Sequence, residues 1–388
     1  MNHYAVVHCG QLVPIKGPIV NDGAFIVKDG KIDWVGPTDA VPADLPTVDG
    51  EGKVVTPGLV DAHTHTVFAA NRVEEFEFRS RGATYQEIAE NGGGIRSTME
   101  ATRQATDLEE QVRAHQLRLV RNGTTTFETK TGYGLSPKLE LQHLDLADAG
   151  VATVRKTFLG AHALPPEFEG DVNGYISALI QVLPEAKAKG ASAVDAFIEP
   201  GYFTPDAIRP YLEAARSLVL GIHLHVDQLG PHQGAQFAAE MQATTADHLE
   251  FTDESGIRAL MRAGVTPVLL PASVYGLGKE KYPDAKAMMK AGMAFCLATD
   301  YNPGSSPTSS LPFVMGLACR YMGMSPAQAL VACTMIPSAV LGLQEQKGSI
   351  EVGFDADFVI WPYKDYREIA YWIGDVLPER VAIAGKFV

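Results

Sequence analysis

The residues with the clearest chemical potential lie in Thr56-Pro57-Gly58-Leu59-Val60-Asp61-Ala62-His63-Thr64-His65, where the apolar run 54–60 leads into two histidines one residue apart. In a strand, residues i and i+2 point to the same face. His63 and His65 therefore aim both imidazoles at one point, which is what a metal ion requires. A lone histidine at a strand mouth is more simply a locally hydrogen-bonded polar residue, whereas two on one face point to metal. The spacing by itself names no particular metal.

A scaffold must hold that pair, and the chain beyond residue 53 supplies its pattern. Eight apolar, strand-like runs alternate with helical stretches: 54–60, 124–127, 151–159, 193–198, 218–226, 243–247, 265–270 and 293–298. Helix starts are marked by Thr204-Pro205 and Ser325-Pro326, an N-cap before a proline, and by the capping-box spacing Thr106-x-x-Glu109. Eight strands alternating with helices predict an α/β fold with a closed (β/α)8 TIM-like barrel, not an open doubly wound sheet. A nucleotide-binding sheet would carry a glycine fingerprint in its first βα turn, where this chain has histidines. Residues 1–53 are short apolar runs broken at Asp22-Gly23, Asp29-Gly30 and Gly36-Pro37, a hairpin pattern too short to bury much alone. The β pattern returns after Leu341, so both termini are expected to build one small β-sandwich domain, 1–53 with 345–388, beside a barrel over 54–344.

Barrel enzymes carry their chemistry on the loops after the C-terminal strand ends. Polar residues recur at that end of five runs: His63 and His65 on the first, His162 on the third, His223 and His225 on the fifth, Asp247-His248 on the sixth and Asp300 on the eighth. His225 and Asp300 are the natural further ligands. Three imidazoles and a carboxylate make a one-metal site with room for water, suited to Zn2+ or iron as Fe2+/Fe3+. His223 has the same strand parity as His225, so parity does not separate them; His225 lies nearer the strand end. The structural alternative for Asp300 is an Asx-turn acceptor in Asp-Tyr-Asn-Pro-Gly. His115 and His143 fall in helical stretches as surface or interhelical residues, and Gly92-Gly93-Gly94 lacks the Lys-Ser/Thr of a phosphate loop and reads as a tight turn.

Composition narrows the partners. A formal charge of −14, from 46 acidic against 32 basic residues without a basic cluster, argues against nucleic acid and against an anionic membrane surface. No apolar run approaches the ~18 residues of a membrane span, and no basic segment followed by a long apolar run marks a signal peptide. The four cysteines (Cys9, Cys296, Cys319, Cys333) follow no disulfide or metal spacing. The expected location is the cytoplasm.

Pro57-Gly-Leu-Val-Asp-Ala-His-Thr-His65, Asp300 after the eighth run and a split β domain together resemble the amidohydrolase superfamily. The resemblance is closer to its imidazolonepropionase family, carried by His63-Thr-His-Thr-Val-Phe-Ala-Ala-Asn-Arg72, Gly82-Ala-Thr-Tyr85, Gly92-Gly-Gly-Ile95, Lys130-Thr-Gly-Tyr-Gly-Leu135, Thr157-Phe-Leu-Gly-Ala-His162, Ala246-Asp-His-Leu249 and Ala298-Thr-Asp-Tyr-Asn-Pro-Gly-Ser-Ser-Pro307. It spans nearly the whole chain. It implies that His63, His65, His225 and Asp300 hold one metal, and that Arg72, Tyr133, His162, Gln228, Asn302, Gly304 and Ser305 line the substrate pocket. It implies that His248 stands over the metal-bound carbonyl; in the hydrolysis expected there, Asp300 can take and return the proton and His248 can stabilise the oxyanion. The implied substrates are water and 4-imidazolone-5-propanoate, in a homodimer. Arg72 could instead pair structurally with Glu74 or Glu75, but its fork suits a substrate carboxylate. Some members carry Glu at the position of Gln228, which puts a base role there in doubt. Binuclear relatives have a bridging lysine on strand four, and Val194-Asp-Ala-Phe-Ile-Glu-Pro200 has none, so a single ion is expected. The rival readings are a deaminase or hydrolase of another small cyclic amide, and a binding protein with a retired site.

Overall fold

The computed structural model describes residues 3–82, 87 and 93–388. The N-terminal run forms β1 (His3–Leu12), β2 (Val20–Lys28), β3 (Lys31–Pro37), β4 (Thr47–Asp49) and β5 (Val54–Pro57). Alternation divides its faces. Tyr4, Val6, Phe25 and Val27 pack on one side with Val55, Phe358 and Ile360, while Ala5, Val7, Ala24 and Ile26 pack on the other with Trp34 and Leu45. The sheet is completed from the other end of the chain, because β5 pairs antiparallel with Phe358–Trp361.

Among the described residues, eight parallel strands follow in chain order: β6 (Leu59–Asp61), β7 (Thr124–Lys130), β8 (Thr153–Ala161), β9 (Ala191–Ile198), β10 (Gly221–Val226), β11 (Thr245–His248), β12 (Thr266–Leu269) and β13 (Cys296–Leu297). Each is hydrogen-bonded to the next in sequence. Most are buried on both faces, as parallel strands wrapped by helices must be, and read as near-continuous apolar runs; β7, Thr-Thr-Thr-Phe-Glu-Thr-Lys, is buried but largely polar. The ring closes between β6 and the end of β13 through a parallel bridge between Thr64 and Tyr301. Backbone bonds from Asp300 N to His63 O (3.0 Å) and from His65 N to Tyr301 O (2.9 Å) extend that seam. Asp61 reinforces it, accepting from Thr299 N (3.1 Å) and Thr299 Oγ1 (2.6 Å). The chain then returns to the terminal sheet as β14 (Phe358–Trp361), β15 (Arg380–Ile383) and β16 (Lys386–Phe387). Among the described residues, no helix is long and apolar enough to cross a membrane.

One expected strand is in fact two. The run 54–60 was read as a single first barrel strand, but its first half, β5, belongs to the terminal sheet and only β6 belongs to the barrel. The break falls at Gly58, whose backbone N donates to Asp357 O while Leu59 N donates to Gly123 O. Both halves are buried, so hydropathy is continuous across the switch and hides it. A Cβ on Gly58 would sit 2.1 Å from Thr125 Oγ1. Gly58→Ala is therefore expected to destabilise by ~1–3 kcal/mol, the range for overpacking, seen as a lower urea midpoint with catalytic constants unchanged in the folded fraction. An unchanged midpoint would show that β7 yields freely.

The caps behave largely as read. Thr204 Oγ1 accepts from Ala207 N, and Ser325 forms a full capping box with Gln328. The helix Leu108–Arg121 instead starts one residue later than Thr106 implies, with Asp107 at the N-cap. The motifs 82–85 and 92–95 lie partly outside the described residues.

Candidate active site

His63 and His65 follow β6 and face the barrel axis. His63 Nε2 lies 3.2 Å from His65 Nε2, and Asp300 Oδ1 lies 3.4 Å from the former and 3.3 Å from the latter. His63 Nδ1 donates to Asp247 Oδ2 at 2.6 Å, which leaves Nε2 with its lone pair. On β10, His225 Nδ1 donates to Asp195 Oδ1 at 3.0 Å, and its buried Nε2 has no hydrogen-bond partner. The His63 and His225 ring centroids are 4.5 Å apart. Lone pairs crowded at such distances repel unless a cation or proton lies among them. Carboxylates behind the Nδ1 atoms of His63 and His225 are the usual support of metal-ligating histidines. The donor set therefore fits a divalent metal. Ligand atoms of His63, His65 and Asp300 lie within 4.8 Å of one another, and so do those of His63, His225 and His248. The competing His223 points elsewhere, its Nδ1 meeting Thr245 Oγ1 at 3.1 Å.

Burial sets the charge states. It drives the His65 and His225 imidazoles below the usual histidine value. For Asp300 burial works upward, but the imidazoles around it, His63 and His65 foremost and His248 beyond them, hold the carboxyl well below the ordinary range. Burial also opposes protonation of His248, yet Glu250, 3.3 Å from its Nδ1, raises its pKa. Two of these residues sit in left-handed backbone, His248 at φ 79° and Asp300 at φ 53°. Such strain in non-glycine residues is typically retained where a side chain must be aimed.

All seven residues expected on the substrate side line one pocket with His65, His225, His248 and Asp300. Arg72 Nε donates to Thr98 Oγ1 at 2.8 Å. Glu75 forms a long ion pair with Arg72, Oε1 lying 3.9 Å from Nε, and the same oxygen accepts from Gly94 N at 2.7 Å. The guanidinium lies against Gly304, where a Cβ would come within 2.3 Å of Nη1. His162 Nδ1 donates to Gly132 O (2.9 Å), and its ring stacks on His65; burial pushes its pKa down to about 3, so it stays neutral. Tyr133 packs edge-on to His162. Gln228 Nε2 reaches Ser273 Oγ at 3.4 Å, while its backbone N donates to Glu199 Oε1. Asn302 turns its amide inward on its own loop, donating to Asp300 O (2.6 Å) and accepting from Gly304 N and Ser305 N (2.8 Å each). Ser305 Oγ donates to Asp300 Oδ2 at 3.1 Å.

Several residues at the site were not singled out from sequence. Arg79 also lines the pocket and donates to Gly304 O. Asp195 and Lys130 lie just beneath it, fully buried, beside Asp247, which the sequence places with His248 at a strand end. Their one sequence signal was a charge inside an apolar strand, a costly placement without partners. His143 is buried, not at the surface, close to Gly134.

Residues 54–388 match the profile of the Amidohydrolase family. Over its whole length the chain is 45% identical to the imidazolonepropionase of Solibacter usitatus, covering 99% of that protein. It is 42% identical to that of Geobacillus kaustophilus, over 95% of this chain and 91% of the relative. A triazine hydrolase variant of known structure superposes with a TM-score of 0.80 at 15% identity, covering all of this chain and 94% of the other. Guanine deaminase from C. acetobutylicum does so with a TM-score of 0.70 at 16% identity, over the full length of both chains. At such identities the two structures speak for the fold alone. With relatives of 40–45% identity along nearly the entire sequence, the chain belongs to the amidohydrolase family and, within it, to the imidazolonepropionases.

Proposed function

We propose that this protein hydrolyses the cyclic amide C–N bond of 4-imidazolone-5-propanoate, giving N-formimidoyl-L-glutamate in histidine degradation. The observation that carries the reading is that His65 and Asp300 of the His63–His65–Asp300 cluster line one pocket with Arg72. A pocket with those two ends matches a substrate with an electrophilic ring carbonyl at one end and a carboxylate at the other.

His63, His65, His225 and Asp300 would hold one divalent ion, zinc or iron. Bound there, it supplies Lewis acidity and makes water nucleophilic near neutral pH. The chain's own groups do the rest. Arg72 takes the propionate with its planar fork, and Tyr133 closes the same end. His162, with Nδ1–H committed to Gly132 O, offers Nε2 as an acceptor to a ring N–H. Gln228 presents a donor and an acceptor to the N–H and C=O edge of the imidazolone. An amide has no useful pKa, so Gln228 is not the base. Asp300 Oδ2 takes the proton of the attacking water and passes it to the leaving ring nitrogen, with Ser305 Oγ holding that oxygen in place. His248, backed by Glu250, donates to the oxyanion as the carbonyl becomes tetrahedral. Asn302 shapes the loop, and Gly304 leaves room for Arg72.

Purified protein is expected to carry one equivalent of zinc or iron by elemental analysis. It should lose turnover of 4-imidazolone-5-propanoate on chelation and regain it on adding metal back. Two equivalents per chain, both needed for activity, would sink the one-ion reading. Turnover of another cyclic amide or a purine, but not of this substrate, would replace the reaction. The same reading makes the enzyme a cytoplasmic homodimer without nucleic-acid or membrane partners, so a monomer in sedimentation would correct the assembly.

A further inference from the structure

Beneath the metal-ligand set lies a charged cluster that the reaction does not touch. Lys130, at the end of β7, is fully buried, and its Nζ lies 2.9 Å from Glu128 Oε1, 2.8 Å from Asp195 Oδ2 and 3.6 Å from Asp247 Oδ2. An ammonium has three N–H donors and no acceptor, and here it faces three carboxylates.

Each carboxylate has a second engagement, and all three lead upward. Asp247 Oδ2 accepts from His63 Nδ1, and Asp195 Oδ1 accepts from His225 Nδ1. Glu128 Oε2 accepts from the backbone N of Thr64 (3.4 Å), the residue between His63 and His65. The backbone adds a fourth tie, from Lys130 N to Thr64 O at 2.8 Å. We propose that Lys130 is a positioning residue for the metal centre: one buried ammonium fixes the carboxylates that orient His63 and His225, and so couples ligands contributed by β6 and β10.

The coupling has a physical basis. Two neighbouring carboxylates, each beneath an imidazole and shielded from water, repel one another and are poorly solvated. A cation between them keeps both ionised and still. An ionised carboxylate behind Nδ1 fixes the tautomer that leaves Nε2 free for metal. Without Lys130, both imidazoles would lose that restraint together.

The alternative is that Lys130 is an ordinary buried ion-pair residue that only stabilises the fold. A matched control exists in the same molecule. Lys347 is also buried, with its Nζ 2.8 Å from Asp355 and 2.7 Å from Asp357, but it lies outside the barrel strands and no metal-ligand residue is among its partners. The inference rests on the metal-centre reading, so Zn2+ affinity of the apoprotein, measured by competition with a chromophoric chelator, is the readout. Lys130→Met is expected to weaken Zn2+ binding about 10- to 100-fold, the effect typical of lost support behind a ligand. Lys347→Met should lower the melting temperature while leaving zinc affinity within about twofold, within measurement scatter for a site with its support intact. Asp195→Asn and Asp247→Asn should each give part of the loss, and the double variant should approach Lys130→Met. If Lys130→Met does not fold, Lys130→Met/Glu128→Gln, which removes a carboxylate with the ammonium, takes its place. Wild-type zinc affinity in the Lys130 variant, or an equal loss in Lys347→Met, overturns the inference. A wild-type protein that binds no zinc or iron would instead overturn the metal-centre reading itself.

Discussion

Asp300→Asn should abolish turnover, with kcat falling by on the order of 10³–10⁴-fold, the upper range for loss of a general acid–base group. Asparagine keeps the size and one acceptor oxygen but cannot take a proton. Metal content has to be measured alongside, because Asp300 also lies with His63 and His65 in the ligand cluster. The informative preparation is the one that retains its ion. Gln228→Ala is the matched comparison. It should mainly raise KM, since Gln228 lines the pocket and offers hydrogen bonds but no proton. Gln228→Glu should keep substantial activity, because glutamate preserves the acceptor. If Gln228→Ala loses kcat as completely as Asp300→Asn while substrate affinity is unchanged, the proton passes through position 228 and the assignment is wrong.

Arg72→Met should cost ~2–5 kcal/mol of substrate recognition, the range for truncating one member of a buried charge pair. At 1.4 kcal/mol per decade that is roughly 30- to 4,000-fold in kcat/KM. The structure sharpens this expectation. Arg72 is held in place by Thr98 and lies against Gly304, and its ion pair with Glu75 is long, at 3.9 Å, with Glu75 Oε1 shared with Gly94 N, so the guanidinium keeps donors to offer a substrate carboxylate. A lactam of the same ring without the propionate should respond little to the substitution. Equal losses on both substrates would make Arg72 a structural residue.

The site was legible where strand geometry carried it. A two-residue period fixes the shared face of His63 and His65, and barrel topology tells which strand ends converge, so residues as distant in sequence as His65 and Asp300 could be grouped. Parity could not decide between His223 and His225, because residues two apart point the same way and only depth separates them. The Lys130 cluster was out of reach for a different reason. Its members sit on three strands, and only the folded barrel shows that their charges neutralise one another. The switch at Gly58 was hidden because an apolar run buried in one sheet and then in another has no change of pattern where it crosses. Asn302 shows the limit for loops: sequence placed it at the pocket, but the direction of its amide depends on turn geometry.

The seam that closes the barrel also sets a timetable for synthesis. His63 and His65 leave the ribosome early and His225 some 160 residues later, but Asp300 follows last, on the strand end that must dock against Thr64. Until that docking, a nascent chain offers separated imidazoles and no closed cage. An ion that favours the closed ring then acts by mass action, stabilising the completed barrel by RT ln(1 + [ion]/Kd) and leaving earlier forms untouched. The terminal sheet waits longer still, since β5 needs β14 at residues 358–361 as its partner. On the one-metal reading proposed above, metal supply during translation bears on how much chain reaches the closed state as well as on how active that chain is. Cells starved of the ion should accumulate open, protease-sensitive protein, and not merely idle enzyme.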